Sequence, residues 1–160
     1  MTLAHTLALA HTLLWAARPA TGMATIYTGY AGAPLYCDGR MPLSEAREPG
    51  SLLFDTVAEP WVALDVSEYT SGRARCGDEI LVRFPPTQTS DLPGKAENHT
   101  LRARALDAGP LYPFVIADTG FPIVVDIPAH HAPFPGLSAP ATVINVSAIH
   151  RQWIRSRIPQ

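Results

Sequence analysis

The sequence predicts a mainly β domain, a small closed barrel or a sandwich, and three observations carry that prediction. Short runs alternate between apolar and polar residues, as in "DEILVRF" and "LRARALD", which is the period of a half-buried strand. Prolines, 16 of them, are spread along the chain; proline breaks helix interiors and central strands alike, so long helices are disfavoured. Turn signals separate six or more such runs, the pattern of a barrel or sandwich. The 160 residues are enough for one domain with a real core.

"ATIYTGY" (24–30) reads as the first strand, being rich in β-branched and aromatic residues. "AGAPLYCDGRMPLSEAREPGS" then reads as a long surface loop. "WVALDVSEYTSG" (61–72) is open between a short strand and a helical turn, with glycine as its stop. In "DEILVRF", Ile80, Val82 and Phe84 share one face. "PPTQTSDLPGKAENHT" is the most polar stretch and reads as a loop. In "LRARALD", Leu101, Ala103 and Ala105 oppose Arg102 and Arg104. "FVIAD" and "FPIVVDI" read as short strands around Asp118-Thr119-Gly120, a hairpin signature. "PAHHAPFPGLSAP" is a turn, "ATVINVS" the last strand, and "AIHRQWIRSRIPQ" a short helix with Ile149 and Trp153 four apart.

Composition narrows the function. Apolar residues make up 47% and charged residues 16%, which excludes a disordered chain. The formal net charge of −2 offers no basic excess, so nucleic acid is not an expected partner. The Leu/Ala-rich residues 1–23 read as a signal peptide or an N-terminal apolar helix, residues 24–150 as the domain, and 151–160 as a basic tail. The chain is therefore expected to be secreted or held at the cell envelope. If it is exported, Cys37 and Cys76 form one disulfide; in a reducing compartment they are two buried thiols. No metal or cofactor is expected: His130-His131 is a pair of neighbours on a turn, without the further ligands a zinc site needs. The sequons at Asn98 and Asn145 read as chance matches, and Arg151, Arg155 and Arg157 as a solvated face.

The order of "ATIYTGY", "RCGDEILVRF", "LRARALDAGP", "IVVDIPAHHAPF" and "APATVINV" resembles the double-psi β-barrel of rare lipoprotein A, bacterial expansins and barwin-like proteins. The likeness spans residues 24–147. It implies a six-stranded double-psi β-barrel with short helical turns. It also implies a monomer whose partner is cell-wall polysaccharide, either peptidoglycan or a plant-type glucan. Asp107 in "LDAGP" stands where the family has the aspartate of D-x-G-P, and Asp126 in "VVDIP" where it has that of I/L-D-L-S. Phe134 matches the apolar residue that follows, Tyr27 the early aromatic, and Cys76-Gly77 the C-G of barwin domains. The serine after the second aspartate is replaced by proline, and "VALDVSEY" stands where the family has a histidine.

Asp107 and Asp126 are thus the candidate acid/base residues, with Tyr27 and Tyr112 as candidate sugar-stacking residues. Cleaving a glycosidic bond needs a carboxyl held protonated to supply the leaving oxygen. A lytic transglycosylase needs only one such acid, because the sugar's own hydroxyl attacks. The competing expectations are a wall-binding or wall-loosening module without bond cleavage, and a structural barrel without a site. Either aspartate alternatively fastens a turn by accepting backbone N–H bonds. Asp118-Thr119-Gly120 also matches the D-T-G of aspartic proteases, but the remaining segments do not follow that pattern.

Overall fold

The structure, a computed structural model, describes residues 18–85, 99–111 and 113–158. The strands are β1 (Ala20–Tyr27), β2 (Trp61–Asp65), β3 (Glu79–Phe84), β4 (His99–Gly109), β5 (Ile123–Pro128) and β6 (Ser138–Asn145). They close into one barrel in the order β1-β5-β2-β4-β3-β6. Two pairs are parallel, β1 with β5 and β2 with β4, and each contains a register shift; the other four contacts are antiparallel. Helix α1 (Val66–Thr70) follows β2 directly and α2 (Val146–Arg157) follows β6.

Alternation fills the barrel as the sequence predicts. Ala24, Val62, Leu64, Ile80, Val82, Ala103, Ala105, Val125, Ile127 and Val143 point inward and form the main core. The strand opening the barrel begins at Ala20, upstream of the expected start at Ala24, and ends at Tyr27 rather than Tyr30. Residues 20–23 are held by antiparallel pairing to β6, so the expected domain edge falls inside a strand. Gly22 is required there: a Cβ would come within 2.3 Å of the Pro122 carbonyl oxygen.

Residues 31–51 were expected to form a surface loop, and the structure buries part of them together with the residues that follow. Leu35, Cys37, Leu52, Phe54 and Val57 are buried and pack with Trp61 and Leu106 into a second core outside the barrel. Backbone bonds between Leu35 N and Leu52 O and between Cys37 N and Leu106 O seal this layer on the sheet. The disulfide Cys37–Cys76, with Cα atoms 5.4 Å apart, ties it to the turn before β3.

"WVALDVSEYT" resolves into both readings in succession. β2 ends where Asp65 accepts the Ser67 N–H as the N-cap of α1, and Gly72 at φ 77° ends the turn that follows. "FVIAD" is not a strand: only Val115 bridges, to Pro122. Its backbone is spent on a tight turn instead, with Thr119 N and Gly120 N both donating to Ile116 O and Phe121 N donating to the Thr119 hydroxyl. The expected hairpin at Asp118-Thr119-Gly120 is therefore present, although as a turn joined by one bridge.

The expected C-terminal helix is present, and one of its bases is corrected. α2 starts before residue 151, where Asn145 accepts the Ala148 N–H. Arg151 is not a free surface base: its guanidinium donates two bonds, at 2.5 and 2.7 Å, to the buried Asp78 carboxylate. The Asn145 amide donates to the same carboxylate at 2.8 Å, so this sequon's acceptor nitrogen is engaged in the fold. The Asn98 sequon, the polar loop 86–98, residues 1–17 and Tyr112 lie outside the described residues.

Candidate functional site

Asp107 and Asp126 come together across the barrel wall. Asp107 on β4 is in register with Ala63 on β2, Ala63 with Asp126 on β5, and Asp126 with Thr25 on β1. The two aspartates are thus separated by a single strand, about 10 Å between Cα atoms from the usual strand spacing. The flanking residues Val62, Leu64, Val125 and Ile127 fill the interior, so the row Asp107–Ala63–Asp126–Thr25 faces outward beneath the second core. Ala63, itself buried, is the residue that stands between the acids.

The surroundings of the two acids differ. The Asp107 carboxylate accepts the Tyr36 N–H at 2.8 Å and the Tyr27 hydroxyl at 3.4 Å. Burial pushes it above the usual carboxylate range, while the backbone N–H groups of Tyr36 and Ala108 and the Tyr27 hydroxyl pull the other way. Asp126 is also pushed up by burial; the Thr25 hydroxyl, which donates to it, opposes this, and the charge of Asp107 adds to it. Fewer donors and a neighbouring negative charge make Asp126 the member better suited to hold a proton. No cation pairs with either aspartate among the described residues.

Tyrosines frame the acids. Burial, followed by the charges of Asp107 and Asp126, pushes the Tyr27 hydroxyl up, so it remains a donor. The Tyr69 hydroxyl donates to the Asp107 carbonyl at 2.8 Å and its ring lies 5.0 Å from that of Tyr36. Tyr27 meets Tyr30, Phe54 and Trp61 edge to face, at 5.3 to 5.9 Å between centroids. Tyr30 is exposed beside it.

The turn after β5 closes the far side. His130 and His131 lie 4.0 Å apart, against Phe54 and Trp61 respectively. Burial, helped by His130, holds His131 below its ordinary value against a bond to the Val57 backbone. Neither His131 Nε2 nor Trp61 Nε1 has a partner among the described residues.

The sequence points to Asp107, Asp126 and Tyr27, and the structure brings these three together. It places Asp118 on the exposed turn before β5. Thr25, Ala63 and Tyr36 were not among the expected site residues. Thr25 had one usable signal, its place in the opening strand two residues before Tyr27; Ala63 carried none.

Two clefts open elsewhere. One of about 750 Å³ lies among Thr21, Arg83, Phe84, Thr100, Phe121 and Thr142. The other, of about 470 Å³, lies at the base of α2 beside Arg75, Glu79 and His150. Neither is lined by Asp107 or Asp126. Comparison with family models, with curated proteins and with solved structures finds no match for this chain.

Proposed function

We propose that the chain is an exported double-psi β-barrel protein that acts on cell-wall polysaccharide, with Asp126 as acid/base in a lytic transglycosylase-like reaction. The observation that carries this reading is the outward row Asp107–Ala63–Asp126–Thr25, which holds two half-buried acids one strand apart with no cation paired to either among the described residues. The closed ring with two parallel strand pairs supports the barrel type, and the disulfide supports export.

In this mechanism, protonated Asp126 gives its proton to the glycosidic oxygen as the C–O bond breaks. The sugar's own hydroxyl attacks the anomeric carbon and returns its proton to the Asp126 carboxylate, which restores the acid. Asp107 stays charged, held by Tyr36 N–H and Tyr27, and stabilises the positive charge that develops on the sugar ring. Exposed Tyr30 offers a face for an adjoining sugar.

The test is incubation of the purified chain with peptidoglycan, cellulose and chitin, with mass analysis of the soluble products. Anhydro-sugar ends are expected from peptidoglycan, and Asp126→Asn is expected to lower the rate by about 10²–10⁴-fold without loss of fold. The hydrogen bonds that fasten Asp107 favour a second reading, a binding or wall-loosening module that cleaves nothing. That reading predicts retention on the insoluble glycan, no product, and binding that survives Asp126→Asn. A chain that neither binds nor cleaves any of the three glycans is a structural barrel, and the proposal fails.

A further inference from the structure

A second row of side chains crosses the outside of the barrel on the half of the ring that the acids leave free. In register, Thr21 on β1 meets Thr142 on β6, Thr142 meets Arg83 on β3, and Arg83 meets Thr100 on β4. Val82, Phe84, Ala141 and Val143 beside them are buried, so the row Thr21–Thr142–Arg83–Thr100 faces outward. It crosses three strand intervals, about 14 Å at the usual strand spacing. The row lines the cleft of about 750 Å³, where the exposed Phe121 adds an aromatic ring. It reaches β4 about 23 Å from Asp107 at the usual strand rise, so it is separate from the acid row.

Arg83 is the exception among the arginines of the strands. Arg102 pairs with Glu79 and Arg104 with Glu45, whereas no carboxylate pairs with Arg83 among the described residues. No carboxylate lines the cleft among those residues either. The Thr21 and Thr142 hydroxyl oxygens lie 3.4 Å apart, and a hydroxyl with one such contact keeps further hydrogen-bonding capacity. We infer that this cleft binds an acidic sugar, a uronate or a short oligomer of uronates. The guanidinium receives a carboxylate through paired N–H donors. Hydroxyls on both sides of it suit a ligand that is hydroxylated beyond its carboxylate, and Phe121 offers a ring for a sugar face. A peptide is a poorer occupant: β3 and β6 are paired on both sides in the closed ring, so no edge is left for an added strand. A phosphate polymer is poorer too, because it needs a cation for each charge it lays down and the cleft has one.

The test is calorimetric titration of the full chain with trigalacturonate. Binding is expected, with the neutral trisaccharide maltotriose and the variant Arg83→Gln each at least about tenfold weaker. Arg83→Lys, which keeps the charge and loses the fork, should fall between parent and Arg83→Gln. Phe121→Ala is expected to weaken binding about fivefold. Arg83 and Phe121 are exposed, so thermal unfolding of these variants should match the parent. Asp126→Asn should bind as the parent does, which keeps this inference independent of glycan cleavage at the acid row. No binding of trigalacturonate overturns the proposal, as does equal binding of maltotriose. Equal displacement by inorganic phosphate would mean a simple anion site, and equal displacement by triglutamate a peptide site; either overturns the sugar assignment. Binding lost in Asp126→Asn and kept in Arg83→Gln would put the ligand in the acid row instead.

Discussion

Asp78, just before β3, and Asp126, on β5 across the ring, are both drawn out of full contact with water, but what neutralises them differs. Around Asp78 the Arg151 guanidinium, the Asn145 amide and the Arg75 N–H converge on one carboxylate, which is 5% exposed. Around Asp126 there is a hydroxyl from Thr25 and a second acid across Ala63. A carboxylate surrounded by donors and a full positive charge holds structure together. A carboxylate given burial and a like charge is left to take up a proton. Burial by itself does not separate a fastener from a reactive group; the charges around it do.

Substitutions at these positions, and a pH profile, test this contrast. The largest effect is expected at Asp78: Asp78→Ala strands Arg151 without its partner and should lower unfolding free energy by roughly 3–5 kcal/mol in urea denaturation. Asp126→Asn, measured the same way near neutral pH, should cost nothing or stabilise. Equal losses at the two positions would erase the distinction. Replacing both cysteines by serine should cost about 4 kcal/mol, from the loop of 39 residues that the Cys37–Cys76 bridge closes. That loss should also loosen the layer that shields the acids.

Enlarging Ala63 is a smaller change. Ala63→Leu should cost about 1–3 kcal/mol by overpacking and should abolish glycan retention if the space between the aspartates is the binding groove. Retention by a folded Ala63→Leu protein would move the site elsewhere. The smallest effect is in the pH profile. Asp107 and Asp126 are raised in the fold, so their contribution to stability is complete below the ordinary carboxylate range and lost as pH climbs through the raised values. His131 acts oppositely: it is lowered, so its contribution is present above the ordinary histidine range and lost as pH falls towards the folded value. Asp126→Asn should flatten the acid limb of a stability–pH curve and leave the histidine limb alone.

Legibility in the sequence followed the physics of each feature. The strand at Glu79–Phe84 was readable because one of its faces lies against the barrel core, which imposes period two, and that at Ile123–Pro128 from its apolar run. The first turn of β1 was not, because Thr21-Gly22-Met23 carries no alternation and is positioned by β6 and by the Pro122 carbonyl. The second core was hidden because Leu35, Leu52 and Phe54 stand among turn residues with no period at all. Asp78 was passed over as the first residue of the "DEILVRF" run, and nothing local announces an arginine 73 positions away. The convergence of Asp107 and Asp126 came from family resemblance, since sequence spacing says nothing about strands that meet around a ring. Ala63 was invisible because nothing local marks an alanine of an apolar strand as the residue between two acids.

The order β1-β5-β2-β4-β3-β6 alternates strictly between the first three strands and the last three. Cut between β3 and β4, neither piece keeps a single ladder of its own; every hydrogen-bonded edge in one is completed by the other. Among the described strands only β3 and β4 are sequential neighbours that also pair, so they are the natural starting point for assembly. Each remaining ladder must wait for distant segments, which makes for slow, late-committing folding. It also makes the pair of acids a late product: Asp107 and Asp126 share a half, but the strand that sets them side by side belongs to the other one.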